Sequence, residues 1–303
     1  MSNWIRSHSQ RHLVIIVLFC LTTTLFSQES ETVESVDSSL VILNAKITDR
    51  SGRHVSGLGK QLFSVYEDGV KQTMEFFQAE ETPFAAVILL DTSGSMGTNV
   101  SLARAAAIRF LDGIRPDDAV AIYRFDSKVK LVQDFSNSRD VSEKIFDLKS
   151  DGMTVLNDAV FEAARLLQKR PEKRKSIIVL SDGADTQSGR SADRALREAM
   201  EANAVIYTVD MSDPAQSSAA VHANRAVLKR FAERSGGTFV SSPGGVALRD
   251  AFASIVEELG VQYTIGFQPT NDKKDGKWRS LELRVARPGL TIRTRKGYQA
   301  AKE

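Results

Sequence analysis

The sequence predicts an α/β protein with a doubly wound, mostly parallel sheet and a small flanking β module formed by the N- and C-terminal segments. Between residues 84 and 259, short apolar runs of strand type alternate with segments of helical periodicity, as in a parallel sheet covered on both faces. The segments 40–83 and 260–303 instead combine period-two alternation with turn signals. With 42% hydrophobic residues in a chain of 303, the composition is sufficient for a full buried core.

The N-terminal residues 1–27 have the layout of a secretory signal peptide. Arg6 and Arg11 precede the uncharged run 13–26, which is short for a membrane span of about 20 apolar residues. The cleavage site is poorly defined, so an uncleaved N-terminal anchor is the alternative. Residues 28–39 are rich in Ser and Glu and are expected to form a flexible linker.

Removal of the signal peptide would take away the sole cysteine, Cys20, which excludes disulfides, thiol catalysis and Cys-ligated zinc. Without Arg6 and Arg11, the 40 basic residues become 38 and equal the 38 acidic ones. This balance favours neither nucleic acid nor an anionic membrane as a partner. A membrane contact is expected only if the N-terminal segment stays uncleaved.

The N-terminal β module, residues 40–83, begins with a strand that places alternate apolar residues from Val41 to Ile47 on one face. Two further strands, 63–67 and 71–77, are joined through Asp68 and Gly69, a strong hairpin signal. A module of this size is marginally stable alone.

The central segment, residues 84–259, is predicted to contain six strands and six helices. The strands are residues 85–90, 119–125, 129–135, 176–181, 204–210 and 238–241. The helices are residues 100–114, 141–148, 157–169, 192–202, 223–235 and 246–259.

The C-terminal segment, residues 260–303, returns to β structure. A strand at 263–268 is followed by an alternating strand that includes Leu281 and Leu283, and a turn at 287–289 leads into 290–295 as a β-hairpin. We expect this hairpin to pack against the N-terminal module, since neither buries much apolar surface alone.

Doubly wound sheets bind ligands in the loops at the carboxyl ends of their strands. Three such loops of the predicted sheet carry side chains with oxygen atoms. The first loop holds Asp91, Ser93 and Ser95, the second holds Thr154, and the third holds Asp182. Together these residues offer two carboxylates and three hydroxyls, a donor set that suits Mg²⁺ with room for water. The sequence therefore predicts a metal site at this edge of the sheet.

Each piece of this site also has a structural interpretation. Asp and Ser after a strand are common helix caps, and Thr154 is the weakest ligand because it precedes a helix. Gly94 and Gly183 are expected to be turn residues first, and Asp185 is expected to be solvated.

The five site residues resemble the metal-ion-dependent adhesion site of von Willebrand factor A (VWA) domains, and the order of strands and helices from 84 to 259 is similar to that Rossmann-like fold. The flanks, including Phe63 to Gly69 and Arg287 to Tyr298, are similar to a VWFA-related subgroup typical of acidobacteria. The resemblance implies binding of Mg²⁺ or Mn²⁺, with the Asp or Glu of a protein partner in the open coordination position.

Two enzyme classes are excluded because the residues that they require are missing. An aspartyl-phosphate hydrolase needs a second Asp where Ser93 stands. An acyl hydrolase needs a Gly-x-Ser-x-Gly frame and a placed His, and Ser95 lacks both. A phosphate-binding Gly-Lys-Ser/Thr loop does not occur in the sequence either. We therefore expect a non-enzymatic, secreted or envelope-facing binding protein. The alternative is a structural scaffold of an envelope complex in which the metal only stabilises the loops.

Overall fold

The computed structural model describes residues 40–79, 82–97, 99–213, 215–241 and 245–302. The predicted signal peptide and linker lie outside these described residues. Within them, the strands are β1 (Val41–Thr48), β2 (Phe63–Glu67), β3 (Val70–Gln72), β4 (Met74–Gln78), β5 (Phe84–Asp91), β6 (Ala119–Phe125), β7 (Val129–Ser136), β8 (Arg174–Ser181), β9 (Ala204–Asp210), β10 (Phe239–Ser241), β11 (Tyr263–Phe267), β12 (Trp278–Val285), β13 (Thr291–Arg293) and β14 (Gly297–Gln299). The helices are α1 (Asn99–Asp112), α2 (Leu156–Gln168), α3 (Ala192–Glu201), α4 (Ala219–Ser235) and α5 (Gly245–Val261). None of the described helices is long and apolar enough to cross a membrane.

The central sheet has the strand order β10-β9-β8-β5-β6-β7, with all neighbours parallel except β6 and β7. One face packs against α1 and α5, and the other packs against α2, α3 and α4. All eight residues of β5 are buried because this strand is covered on both faces. This confirms the predicted doubly wound sheet. The chain leaves β5 for β6 on one side and returns to β8 on the other, so the strand order reverses at the carboxyl end of β5.

The prediction of a helix at 141–148 is wrong. The structure has a single 3₁₀ turn, Glu143–Ile145, with Ile145 buried against the core and Phe146 60% exposed. An eight-residue segment gains little from helix propagation after the cost of nucleation. Beyond this segment, Asp151 N donates to Thr92 O at 2.9 Å and holds the following loop beside the end of β5.

The five remaining predicted helices are present. Helix α4 begins four residues earlier than predicted, at Ala219, because the side chain of Ser218 caps it and accepts a hydrogen bond from Val221 N at 3.2 Å.

The flanking module consists of two four-stranded sheets, and each sheet takes two strands from each end of the chain. Their orders are β13-β1-β11-β4 and β14-β12-β2-β3. Apolar residues of both sheets form one cluster that includes Leu43, Val65, Ile265 and Leu283. The expected packing of the two terminal segments is therefore confirmed, and it is achieved by direct strand pairing.

Two details of this module differ from the prediction. The prediction of a C-terminal hairpin is wrong, since β12 pairs with β2 and β14 while β13 pairs with β1. Both edges of β12 are occupied, so the turn at 287–289 carries the chain from one sheet to the other. The strand predicted at 71–77 is likewise divided at Thr73 into β3 and β4, which belong to different sheets. The hairpin through Asp68 and Gly69 is confirmed, with φ values of 47° and 82°.

Candidate metal centre

Asp91 is the last residue of β5, and its side chain is fully buried. Its Oδ1 accepts hydrogen bonds from Ser93 N at 2.9 Å and from Ser93 Oγ at 2.5 Å. Its Oδ2 accepts a hydrogen bond from Ser181 Oγ, also at 2.5 Å. The carboxylate is thus oriented by hydroxyls from two different segments of the chain.

The first loop brings Ser93 and Ser95 to the same place as Asp91. Their Oγ atoms lie 3.1 Å apart, Ser93 is buried, and Ser95 is exposed. A 3₁₀ turn, Gly94–Met96, follows, and the buried side chain of Met96 anchors it in the core. The side chain of Ser93 makes no capping hydrogen bond to this turn, so the helix-cap interpretation of the motif is wrong for Ser93.

Several hydrogen bonds join the second loop to the first. Gly94 N donates to Gly152 O at 3.0 Å, Asp151 N donates to Thr92 O at 2.9 Å, and Ser150 Oγ donates to Ser93 O at 2.5 Å. Gly94 begins the 3₁₀ turn Gly94–Met96, as expected of a turn residue, although its φ is not left-handed. The contacts fix the second loop beside Asp91.

Thr154 is buried in this second loop, 3% exposed, and it is not the helix cap. The N-cap position of α2 is Val155, which makes no side-chain capping bond. The N-terminal amides of α2 are satisfied from the third loop instead, because Asn157 N donates to Asp185 Oδ2 at 2.7 Å and Asp158 N donates to Ser188 Oγ at 3.1 Å. Asp185 is therefore a half-buried capping residue, and the expectation that it is solvated was wrong.

The third loop holds Asp182, which is half-buried and whose Oδ1 accepts a hydrogen bond from Ala184 N at 3.0 Å. Gly183 follows with a left-handed φ of +81°, as expected for a turn glycine. A Cβ at this position would lie 2.6 Å from Asn224 O of α4. The third loop is tied to the second because Thr186 N and Gln187 N both donate to Thr154 O at 3.0 Å.

The electrostatics of Asp91 suit a bound cation. Burial raises the pKa of Asp91 to about 7, and the negative charge of Asp182 adds to the increase, although hydrogen bonds from Ser181 and Ser93 oppose it. Among the residues that the structure describes, neither Asp91 nor Asp182 forms an ion pair with Lys or Arg. A divalent cation would supply the missing charge.

At a neighbouring strand end, a second buried carboxylate is paired with a basic side chain. Asp210, the last residue of β9, is also fully buried, but Arg225 Nε lies 2.6 Å from its Oδ2. Thus two buried carboxylates at one edge of the sheet differ in their charge compensation, and the uncompensated one lies among hydroxyls.

The donor chemistry fits Mg²⁺ or Mn²⁺. In the described part of the chain, no group of three or more His, Cys, Asp or Glu side chains could hold a metal ion. The candidate set combines Asp91 and Asp182 with the hydroxyls of Ser93, Ser95 and Thr154, and such hard oxygen donors favour these ions. Sequence reasoning missed Ser181 as the residue that orients Asp91, although it directly precedes the predicted ligand Asp182.

Comparisons with known proteins agree with this architecture. The family model for the von Willebrand factor type A domain matches residues 86–184, a range that contains the five candidate residues. The inter-alpha-trypsin inhibitor heavy chain H3 of Bos taurus is 27% identical over 129 residues, which are 38% of this chain and 14% of that protein. An uncharacterised protein of Synechocystis sp. is 26% identical over 170 residues, which are 53% of this chain and 38% of that protein. The chain thus spans well under half the length of either relative.

A solved structure extends the similarity in fold to most of the chain. The von Willebrand factor type A structure from Catenulispora acidiphila matches with a TM-score of 0.50 and 14% sequence identity, covering 88% of this chain and 75% of that one. The strand order, the family match and this fold similarity point the same way. Residues 86–184 therefore match the family model of the von Willebrand factor type A domain, in agreement with the family resemblance of the sequence.

Proposed function

We propose that this protein is a metal-dependent protein-binding module. In it, Mg²⁺ or Mn²⁺ held by Asp91, Ser93, Ser95, Thr154 and Asp182 binds a carboxylate of a protein partner. The observation that carries the proposal is the buried Asp91 carboxylate, which is hydrogen-bonded by Ser93 and Ser181, adjoins Asp182, and has no basic side chain paired to it among the described residues. A cation offsets both negative charges at once.

The donor set also explains why the metal would take a further ligand. Three of its five side chains are neutral hydroxyls, so two carboxylates at most neutralise a divalent ion, which remains electrophilic toward another anion. Ser95 is exposed and Asp182 is half-buried, so this side of the site is accessible from solvent. A side-chain carboxylate of a partner is the protein group that matches such a position.

Binding rather than catalysis is favoured by the residues of the three loops, 91–97, 150–155 and 181–188, which include no histidine and no cysteine. Ser93 Oγ and Ser181 Oγ both donate to Asp91 and orient its carboxylate. The secreted or envelope location follows from the signal-peptide layout of residues 1–27 and is part of the proposal.

The test is affinity capture from an envelope extract with the immobilised protein, in Mg²⁺ and then in EDTA. We expect partners to be retained in Mg²⁺ and released by EDTA, and Asp91→Ala to retain none of them while its circular dichroism spectrum stays that of a folded protein. Asp213→Ala is the matched control, since Asp213 is an exposed carboxylate on the loop after β9 and its loss should leave capture unchanged.

Retention that persists both in EDTA and in Asp91→Ala would refute the proposal. The scaffold alternative gives a different pattern, in which chelation lowers the melting temperature strongly while partner binding remains. Measuring both quantities on the same samples separates the two functions.

A further inference from the structure

A cleft of about 530 Å³ lies beside the candidate metal centre. One wall, here called the turn wall, is the turn between β6 and β7 with the adjoining strand ends, and it contributes Arg124, Asp126, Ser127, Lys128 and Lys130. The facing wall is the segment 147–152, which leads into the second loop of the candidate metal centre and contributes Asp147, Lys149, Asp151 and Gly152.

The cleft and the metal centre share a wall. Gly152 lines the cleft, and its carbonyl accepts the hydrogen bond from Gly94 N in the first metal loop at 3.0 Å. The two walls are also joined, because Met153 N donates to Ser127 Oγ at 3.0 Å. A chain segment that places a side chain on the metal can therefore continue directly into the cleft.

The two walls differ in charge. The turn wall has three basic side chains against one acidic side chain, Asp126. Asp126 is already paired, with Arg124 Nη1 at 2.5 Å and Lys130 Nζ at 3.7 Å from its Oδ2. Lys128 is exposed, and it forms no ion pair with any residue that the structure describes. An excess positive charge therefore faces the cleft from the turn wall.

We infer that this cleft is a second recognition site for the same protein partner, and that it takes an acidic side chain next to Lys128. The partner would then be a segment with two acidic residues close in sequence, one bound to the metal and one in the cleft. This inference rests on the proposed function. It adds that a partner has two acidic residues close together, which distinguishes it from any protein with a single exposed Asp.

The test compares three labelled peptides of equal length by fluorescence anisotropy, in Mg²⁺ and in EDTA. The first contains one Asp in a Gly and Ser background. The second adds a Glu, moved one position at a time along the peptide, and the third has Lys in place of that Glu. At low ionic strength, where exposed charges are least screened, the second acid should tighten binding about fivefold at its best spacing.

Lys128→Glu should abolish this gain, while the one-Asp peptide keeps its Mg²⁺ dependence. Lys173→Glu is the matched control, because Lys173 is exposed at the opposite end of the sheet, before β8, and the substitution changes the net charge equally. The gain should survive in this control.

Equal affinity of the one-acid and two-acid peptides at every spacing would overturn the cleft inference and leave the proposed function standing. Tighter binding of the Lys peptide would also overturn it, since the acidic side chains Asp147 and Asp151 would then be the recognition groups. Binding of the one-Asp peptide that is indifferent to EDTA would refute the proposed function itself.

Discussion

Ser181 and Asp91 lie at the ends of the neighbouring parallel strands β8 and β5, and Ser181 Oγ donates a hydrogen bond to Asp91 Oδ2 at 2.5 Å. The same hydroxyl accepts a hydrogen bond from Gly183 N at 2.9 Å. One buried side chain thus orients the central carboxylate and fixes the turn that carries Asp182. Ser181 therefore couples the first and third loops of the candidate metal centre.

Ser181→Ala should lower the free energy of unfolding by about 1.5 to 3 kcal/mol, the range for a hydrogen bond to a charged group. The loss should be measured by denaturant unfolding of the metal-free protein above pH 7, where Asp91 is charged. Ser176→Ala is the control on the same strand. Ser176 Oγ is buried and has no hydrogen-bond partner among the described residues, so this change should be neutral or stabilising. Equal losses in the two variants would contradict the role assigned to Ser181.

Asp91→Asn should have opposite effects with and without metal. In EDTA the variant should be more stable than the wild type, because a buried carboxylate without a cationic partner is removed. In Mg²⁺, at a concentration about 100 times the dissociation constant, the free energy of unfolding of the wild type should rise by about 2.7 kcal/mol. That of the variant should not change. Melting temperatures with and without EDTA measure both effects.

Asp210→Asn provides the contrast to Asp91→Asn. Because Asp210 balances Arg225, its neutralisation should destabilise the protein in EDTA and in Mg²⁺ alike. A wild-type melting temperature that does not respond to Mg²⁺ would count against the metal centre.

Gly183→Ala should displace the third loop. The residue has a φ of +81°, and a Cβ would lie 2.6 Å from the backbone oxygen of Asn224, which belongs to a helix and cannot rotate away. Gly57→Ala separates strain from collision, since Gly57 has a similar φ of +72° but a Cβ there would meet no atom within 4 Å. We expect Gly57→Ala to cost about 1 kcal/mol. Gly183→Ala should cost more and also weaken Mg²⁺ binding in calorimetry. Identical costs would show that the contact with α4 is unimportant.

Glu258→Gln should remove an acid-dependent part of the stability. The Glu258 side chain is 4% exposed, and its carboxylate lies 3.0 Å from Lys46 Nζ of β1 and 2.5 Å from Arg293 Nη2 of β13. Although burial opposes ionisation, Arg293 and Lys46 hold the pKa of Glu258 below its ordinary value of 4.5. Its stabilising contribution is therefore complete above that value and is lost as the pH falls through the lowered pKa.

We expect Glu258→Gln to cost about 3 to 5 kcal/mol at neutral pH, because two cations lose their shared partner. The difference from the wild type should shrink in acid, as denaturant unfolding at a series of pH values would show. Glu282→Gln is the control, since Glu282 pairs with Arg284 on an exposed surface and should contribute little at any pH. A pH-independent difference for Glu258→Gln would refute the assignment.

Much of the fold was predictable because its signals are local. A strand covered on both faces needs a continuous apolar run, and β5 and β9 have one. The hairpin at Asp68 and Gly69 follows from two residues that accept a positive φ. The prediction of a helix at 141–148 was wrong because the spacing of Val141, Ile145 and Leu148 allows a helix, but so short a segment does not offset the cost of helix nucleation and forms only the turn Glu143–Ile145.

The candidate site was predictable to the extent that its chemistry lies in short motifs. Asp91, Ser93 and Ser95 follow one strand, and the structure brings their side chains within hydrogen-bonding distance of one another. The roles of Ser181 and Asp185 were not predictable, because each depends on a partner in a distant segment. The assignment of a metal to these residues remains a prediction.

By itself, the sequence determined the alternation of strands and helices and the oxygen-rich character of the loops, since both arise from neighbouring residues. Only the tertiary structure decided that the three loops are tied together, that Asp91 is buried without a basic partner among the described residues while Asp210 has Arg225, and that the terminal strands interleave in two sheets. These features depend on contacts between residues far apart in the chain, and the balance of burial and charge at such contacts has no local signal.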